Sequence, residues 1–380
     1  MTADRGPAFV TNSQTILNSY SPWRPSASVT ESGMRITELE NSELTYEKKH
    51  EFNVGVDLGF LHNRINLAAD YYRRNNFDLI GVINTQGAGG TIAKYANIAS
   101  MRSSGIELTL STQNIKKKGF SWNTDFIFSK TKNEITDLKS HANVLDLISG
   151  NGFGREGYPV RALFSIPFAG LTEDGLPTFI NQDGQRTIST LNFQEYEKLG
   201  FLKYEGPTDP TITGSFGNIL TYKNFKLNVF LTYSFGNVIR LDPVFSSAYS
   251  DLDAMPKEFK NRWMKAGDEN TTNIPTIVSY RMNQQYAYLN MAYNAYNYSD
   301  VRIADGGFIR LKEISLSYDL PAKVLNFFRL NKLQFKIQAT NLFLLYADSK
   351  LNGQDPEFFR SGGVSTPVPR QFTFTIRLGL

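Results

Sequence analysis

The sequence predicts an all-β chain: an antiparallel transmembrane β-barrel, partial, with about 11 strands of a larger barrel and long extracellular loops. Three observations predict it. Apolar and polar residues alternate along most of the chain, a period of two that marks strands and not helices. In the last run, Phe372, Phe374, Ile376, Leu378 and Leu380 share one side, and Gln371, Thr373, Thr375, Arg377 and Gly379 the other. Most alternating runs reach about 11 residues, where soluble sheets favour about 5 to 6 and a tilted membrane strand needs about 9 to 11. Connections alternate short and long, as in barrels with short periplasmic turns and long extracellular loops. Sandwiches follow no such rule. A soluble sheet with one wet face alternates in the same way, so strand length and loop asymmetry separate the two.

The elements follow in order. Residues 1–48 are weakly patterned, hold Pro22 and Pro25, and read as a loop or an incomplete N-terminal barrel segment; residues 49–380 read as the C-terminal part of a barrel. Phe52, Val54, Val56, Leu58 and Phe60 face away from Asn53, Gly55, Asp57 and Gly59. A turn at 61–63 leads into a long strand, 64–85, with Ile65, Leu67, Ala69 and Tyr71 on one face. Beyond the loop at 87–90, a strand over 97–112 sets Ile106, Leu108 and Leu110 against Glu107, Thr109 and Ser111. The turn at 113–119 carries Lys116, Lys117 and Lys118, and Phe120, Trp122, Phe126 and Phe128 follow at even spacing. Strands are also predicted near 160–171 and 176–181, joined by a turn at 172–175, and a helical turn at 192–199.

Strands 211–222 and 225–235 form a hairpin over Lys223 and Asn224. In the second, Phe225, Leu227, Val229, Leu231, Tyr233 and Phe235 oppose Lys226, Asn228, Thr232 and Ser234, and Phe230 interrupts the polar face. About 70 residues without strand patterning precede strands at 307–319, 332–345 and 370–380.

Composition narrows the function. Forty basic and 36 acidic residues are interspersed, for a net charge of +4, so no nucleic-acid footprint appears. An apolar fraction of 41% argues against general disorder. The absence of cysteine excludes disulfides and thiolate metal sites. No apolar run approaches the roughly 18 residues of a membrane helix. The 28 Phe and 19 Tyr, several near strand ends, suit interfacial aromatic girdles. His50, His62 and His141 are scattered without ligand spacing. Asp174, Asp183 and Asp209 sit beside Gly or Pro as turn residues. Gly87, Gly89 and Gly90 open no helix and form no phosphate loop. No catalytic residue, metal site or cofactor is expected.

One segment stands out for binding. Tyr280, Tyr286, Tyr288, Tyr293, Tyr296 and Tyr298 lie among Asn283, Asn290, Asn294 and Asn297. Flat rings with adaptable amides suit a glycan or an extended peptide. The same composition suits a loop packed on its neighbours or on a lid subunit. On the strands, the apolar faces are expected to meet lipid. The faces with Asn53, Asp57, Glu107, Asp125, Lys226 and Gln334 then line a polar lumen, or meet bulk water if the sheet is soluble.

Several stretches, taken in order, resemble SusC/RagA-type TonB-linked outer-membrane transporters. Leu44-Thr-Tyr-Glu-Lys48 leads into Asn53-Val-Gly-Val-Asp57; Asp70-Tyr-Tyr-Arg73 and Asp78-Leu-Ile80 follow, then Asn97-Ile-Ala-Ser-Met101 and Gly105-Ile-Glu-Leu108. Gly206-Pro-Thr-Asp-Pro210, Gly214-Ser-Phe-Gly217, Arg262-Trp263, Gly267-Asp268 and Pro275 continue the order. Asp305-Gly-Gly-Phe-Ile-Arg-Leu311, with Leu316-Ser-Tyr318 and Pro321, is the most specific stretch, and Asp355-Pro-Glu357 and Pro369-Arg370 complete it.

The resemblance covers residues 40–380 and implies the C-terminal half of such a barrel. It implies an outer-membrane component, Bacteroidetes-like and Gram-negative, for TonB-dependent uptake of glycans or peptides. A SusD-like surface lipoprotein would act as lid, the TonB complex would pull on a plug domain absent from this chain, and outer-membrane lipid would surround the barrel. Leu380 stands where the family usually ends on Phe. The start, Met1 to Pro7, lacks the basic-then-apolar pattern of a signal peptide. With an odd strand count, that gives the expectation of a partial chain. The alternatives are a soluble or surface β-rich carbohydrate-binding module, and a glycosidase with paired carboxylates; no such pair is evident in the sequence.

Overall fold

Long alternating segments leave a backbone one low-energy option, which is pairing with the next such segment. In the computed structural model, which describes residues 2–4, 14–20, 33–84, 93–150, 154–243, 255–286, 288–359 and 368–379, they do so in sequence order. The strands are β1 (Glu47–Phe60), β2 (Ile65–Asn84), β3 (Ala93–Lys117), β4 (Phe120–Leu138), β5 (Ile212–Tyr222), β6 (Phe225–Phe235), β7 (Phe308–Asp319), β8 (Lys332–Ala347) and β9 (Gln371–Gly379). Every neighbouring pair is antiparallel. A short strand, Thr2–Asp4, adds at the β1 edge to make a 10-stranded sheet. Among the described residues its two edges do not pair with each other.

Register carries the chemistry, because a slip of one residue would move every side chain to the other face. Val56 stands opposite Ala69, Ala69 opposite Leu108, and Leu108 opposite Phe128. Phe126 meets Phe216, which meets Leu231; Leu227 meets Leu316, Ile337 and Phe374 in turn. One face of nine strands is thus apolar in phase. Asn53, Asp57, Glu107, Asp125, Lys226 and Gln334 all fall on the other, where Ser111 donates to Asp125 (2.7 Å), Asn228 to Glu313 (3.1 Å) and Gln334 to Asp319 (3.0 Å). The polar break in the apolar face is saturated locally: the Asn218 amide oxygen accepts from Trp122 (2.9 Å) and Thr124 (2.8 Å).

Among the described residues nothing covers the apolar face. Phe52 is 60% exposed, Ile337 59% and Phe372 76%. From Phe225 to Phe235, steps of about 3.4 Å inclined by about 40° rise about 26 Å, against an apolar band about 25 Å tall in membrane barrels. Aromatics mark both limits, with Trp122, Tyr222, Phe225 and Tyr318 toward the tight turns and Phe52, Tyr71, Tyr233 and Tyr346 toward the long connections.

Two local devices keep the phase. Leu311 and Ile314 are three residues apart and would point to opposite faces of a regular strand. A bulge at Lys312 pairs Leu311 with Leu231 and Ile314 with Val229, so both stay on the apolar side. Phe230, on the polar face, lies across from Gly217, where an added Cβ would come within 3.3 Å of its ring.

The connections correct one expectation. The strands predicted near 160–171 and 176–181 do not join the large sheet. They are short: Ala162–Ser165 pairs with Lys203–Pro207, and Phe168–Leu171 with Pro177–Ile180. All four residues of Ala162–Ser165 are buried, so that segment packs on both faces and spans nothing. The predicted turn at 172–175 does join the second pair, with the Gly175 amide donating to the Thr172 carbonyl (2.9 Å). Residues 192–199 form turns, in which the Glu195 carboxylate accepts from the amides of Tyr196, Glu197 and Lys198. The loop at 87–90, Pro22, Pro25 and Leu380 lie outside the described residues.

The main hydrophobic core sits in these connections and not under the sheet. Val144, Leu147 and Ile148 of helix α1 (Val144–Ser149) pack with Phe164, Ile166, Leu176 and Phe179 from the β4–β5 connection. Phe259, Leu289, Tyr293 and Tyr296 join them from the β6–β7 connection.

Candidate functional site

The tyrosine-rich segment folds as two helices, α2 (Tyr280–Gln285) and α3 (Leu289–Asn297). In α3, Leu289, Ala292, Tyr293 and Tyr296 recur at helical spacing and are buried, as one stripe of a 3.6-residue period requires. The six tyrosines therefore divide. Tyr293 and Tyr296 are core residues. The Tyr293 hydroxyl donates to the Thr276 carbonyl (2.6 Å), and the Tyr296 ring meets Phe168 edge-on at 5.9 Å. Burial pushes both phenols up, Tyr296 to about 12 and Tyr293 further. Tyr298 is half-buried beneath the Arg240 guanidinium, 5.4 Å from its ring centroid.

The other three reach the surface. Tyr280 is 81% exposed and Tyr288 72%. Tyr286 is half-buried and donates to Asp174 (3.0 Å), a bond that raises its phenol. Tyr286 also lines a cleft of about 930 Å³ together with Gln285, Glu173, Arg186, Glu269 and Asn270.

Two charged residues of this cleft, Arg186 and Glu269, are held from behind. Arg186 donates to Thr178 Oγ1 (2.9 Å) and the Leu171 carbonyl (3.4 Å). Glu269 accepts from Trp263 Nε1 (3.0 Å) and the Gly267 amide (2.8 Å), and these bonds lower its pKa. The hairpin tip that carries Glu173 and Asp174 rests on the Trp263 ring, which leaves no room for a side chain at Gly175. A Cβ there would stand 2.5 Å from the indole, and the glycine φ is +74°. Fixed donors and acceptors thus stand beside an aromatic ring along this cleft. Among the described residues no group of three or more His, Cys, Asp or Glu could hold a metal ion.

Arginines tie the connections to each other and to the sheet. Arg240, 2% exposed, donates to the Phe164 carbonyl (2.6 Å) and Ser165 Oγ (3.2 Å). Arg302 pairs with Glu258 (2.7 Å). Arg310 on β7 pairs with Asp355 (2.5 Å) and Glu357 (3.1 Å) in the β8–β9 connection. Sequence reading quoted Arg310, Asp355 and Glu357 only within resembling stretches without pairing them, and passed over Arg240 and Arg302. The i, i+3, i+4, i+7 spacing of α3 was present to be found, whereas the arginine partners stand 44 or more positions away.

No family model matches the chain. Individual relatives match most of it. The chain is 25% identical over 348 residues to TonB-dependent receptor P3 of Formosa agariphila, covering 86% of this chain and 32% of that protein. It is 27% identical over 363 residues to TonB-dependent receptor SusC of Bacteroides thetaiotaomicron, covering 90% and 32%. Its fold superposes on that of the RagAB peptide transporter with a TM-score of 0.72 at 21% identity, covering 97% of this chain and 38% of that one. The chain spans about a third of the length of the curated relatives it matches. The SusC/RagA-type resemblance read from the sequence holds in these comparisons, and the relatives are receptors and a transporter, not enzymes.

Proposed function

We propose that this chain is a C-terminal part of the barrel of an outer-membrane, TonB-dependent transporter that takes up glycans or peptides with a SusD-like surface lipoprotein. Residues 49–380 form the barrel part, and residues 1–48 the loop or incomplete segment before it. The supporting observation is the in-register apolar face of nine strands, left exposed at the height of a bilayer core. A soluble module would have to cover it. In hydrocarbon every backbone polar group needs an internal partner, so the open sheet edges call for further strands to close the barrel. TonB coupling would then act through a plug outside this chain.

Ligand or lipoprotein would dock on the connection surface formed by the cleft at Tyr286 and the exposed Tyr280 and Tyr288 of the same segment, with Tyr293, Tyr296 and Tyr298 supporting them from within. In the intact transporter, Tyr280→Ala with Tyr288→Ala should weaken binding of maltoheptaose, or of a tryptic casein digest, by about tenfold in calorimetric titration. Unchanged affinity for whichever probe binds the wild type would remove both tyrosines from the contact surface.

A further inference from the structure

A charged patch borders the apolar belt on its own side of the sheet. On β2, β3 and β4 the belt ends at the row Tyr71–Ile106–Lys130, whose members stand directly opposite one another. The next row toward the long connections is Arg73–Ser104–Lys132, and the next Asn75–Arg102–Glu134. All share parity with Leu67, Leu108 and Phe128, so they lie on the face assigned to lipid and not on the lumen side. Arg73, Arg102, Lys130 and Lys132 are exposed. Four cations against one carboxylate leave a surplus of three positive charges.

The single acid is already engaged, with Lys132 3.4 Å from Glu134. Arg102 donates to the neutral Asn75 amide oxygen (3.4 Å). Among the described residues Arg73, Arg102 and Lys130 form no ion pair. The side chains enclose an open hollow of about 230 Å³ lined by Tyr71, Arg73, Arg102, Ser104, Lys132 and Glu134.

Depth selects the partner. Rows on one face are two residues apart, about 7 Å along the strand and about 5 Å along the membrane normal at a 40° tilt. Arg73 and Lys132 then lie about 5 Å beyond the last apolar row, and Arg102 about 10 Å. A head-group layer is about 5 to 8 Å thick on each side of the hydrocarbon. Arg73 and Lys132 therefore stand at head-group height, with Lys130 at its inner edge and Arg102 just beyond its outer edge, all facing outward on three adjacent strands. Guanidinium and ammonium groups there favour phosphate oxygens, which accept charge-assisted hydrogen bonds from both.

We propose that this patch binds the phosphate groups of an outer-leaflet lipid, with the acyl chains lying along Leu67, Leu108 and Phe128. The inference rests on the reading that the apolar face meets lipid. Native mass spectrometry of the intact transporter in micelles tests it, with bis-phosphorylated lipid A, the mono-phosphorylated form and inorganic phosphate as probes. Binding should strengthen with phosphate number, and millimolar inorganic phosphate should not displace the lipid.

Replacing all four cations (Arg73→Gln, Arg102→Gln, Lys130→Gln, Lys132→Gln) should cost tenfold or more, given about fivefold per cation near an anionic surface. Glu134→Gln, which keeps every cation, should tighten binding and serves if the fourfold variant does not fold. Equal binding by the variants and wild type, or indifference to phosphate number, overturns the proposal. Displacement by inorganic phosphate would assign the patch to a free anion and overturn it too. Insertion into vesicles is scored separately by heat-modifiable electrophoretic mobility. Wild type that inserts but shows no phosphate preference sinks the patch alone, whereas failure to insert sinks the membrane reading beneath it.

Discussion

Placing an arginine at Val229 puts the membrane assignment under direct load. Val229 lies on the apolar face of β6, between Asn218 on β5 and Ile314 on β7. Along the strand it is four residues from Phe225 and six from Phe235, which at about 3.4 Å per residue and about 40° of tilt sets it about 10 Å and 16 Å from the two aromatic limits. That is near the middle of the belt, where an arginine on the lipid side costs about 2 to 4 kcal/mol; near either interface the cost falls to about 0 to 1. At about 1.4 kcal/mol per decade, Val229→Arg should lower the folding equilibrium about 30-fold to 700-fold.

The control is the next residue. Asn228→Arg points to the polar face beside Glu313, with which its charge can pair, and should be nearly neutral. Denaturant titration of the intact protein in lipid vesicles, followed by tryptophan fluorescence, measures both. A depth series of Phe225→Arg, Val229→Arg and Tyr233→Arg should peak at Val229. A flat series, or equal costs at Val229 and Asn228, would refute the assignment of faces.

The connections yield further expectations. Gly175→Ala should destabilise the β4–β5 connection by about 2 kcal/mol, through left-handed strain and collision with Trp263, seen as faster amide exchange across 172–176. Arg310→Met should cost about 3 to 5 kcal/mol because it strands a buried Asp355 carboxylate. Adding Asp355→Leu should recover part of that, and proteolysis of the β8–β9 connection reports both; an additive double variant would deny the pairing. Tyr296 keeps its proton to about pH 12 in the fold, while an exposed phenol loses it near 10. The unfolded chain binds fewer protons between those values, so stability should fall as pH rises through that window, by about 1.4 kcal/mol per unit for this group. Tyr296→Phe should flatten the slope in thermal melts, and an unaltered slope would contradict the assignment.

How much of this was legible in the sequence depended on periodicity. The strands β1 to β9 were readable because one wet or lipid-facing side and one polar side force a period of two over many residues. Ala162–Ser165 misled for the opposite reason, since a four-residue segment buried on both faces carries no phase. Around Lys312 the alternation breaks, and only the cross-strand partners Leu231 and Val229 show that a bulge restores it. In the tyrosine-rich segment, composition pointed to a binding surface, while the spacing of Leu289, Ala292, Tyr293 and Tyr296 already assigned half of it to a core. The Arg310–Asp355 pair and the row Arg73–Ser104–Lys132 join residues from separate strands or connections. They become visible only once the register is known.

The most direct test of what touches the apolar face is spin-label accessibility along β6. Residues 1–380 hold no cysteine, so single cysteines can be placed from 225 to 235 and labelled in the intact protein in vesicles, once any cysteine elsewhere in it has been replaced. Odd-numbered positions should be open to oxygen and closed to a polar nickel chelate, with the contrast greatest near Val229; even-numbered positions should show the reverse. Odd positions closed to both reagents would mean that protein, not lipid, covers that face.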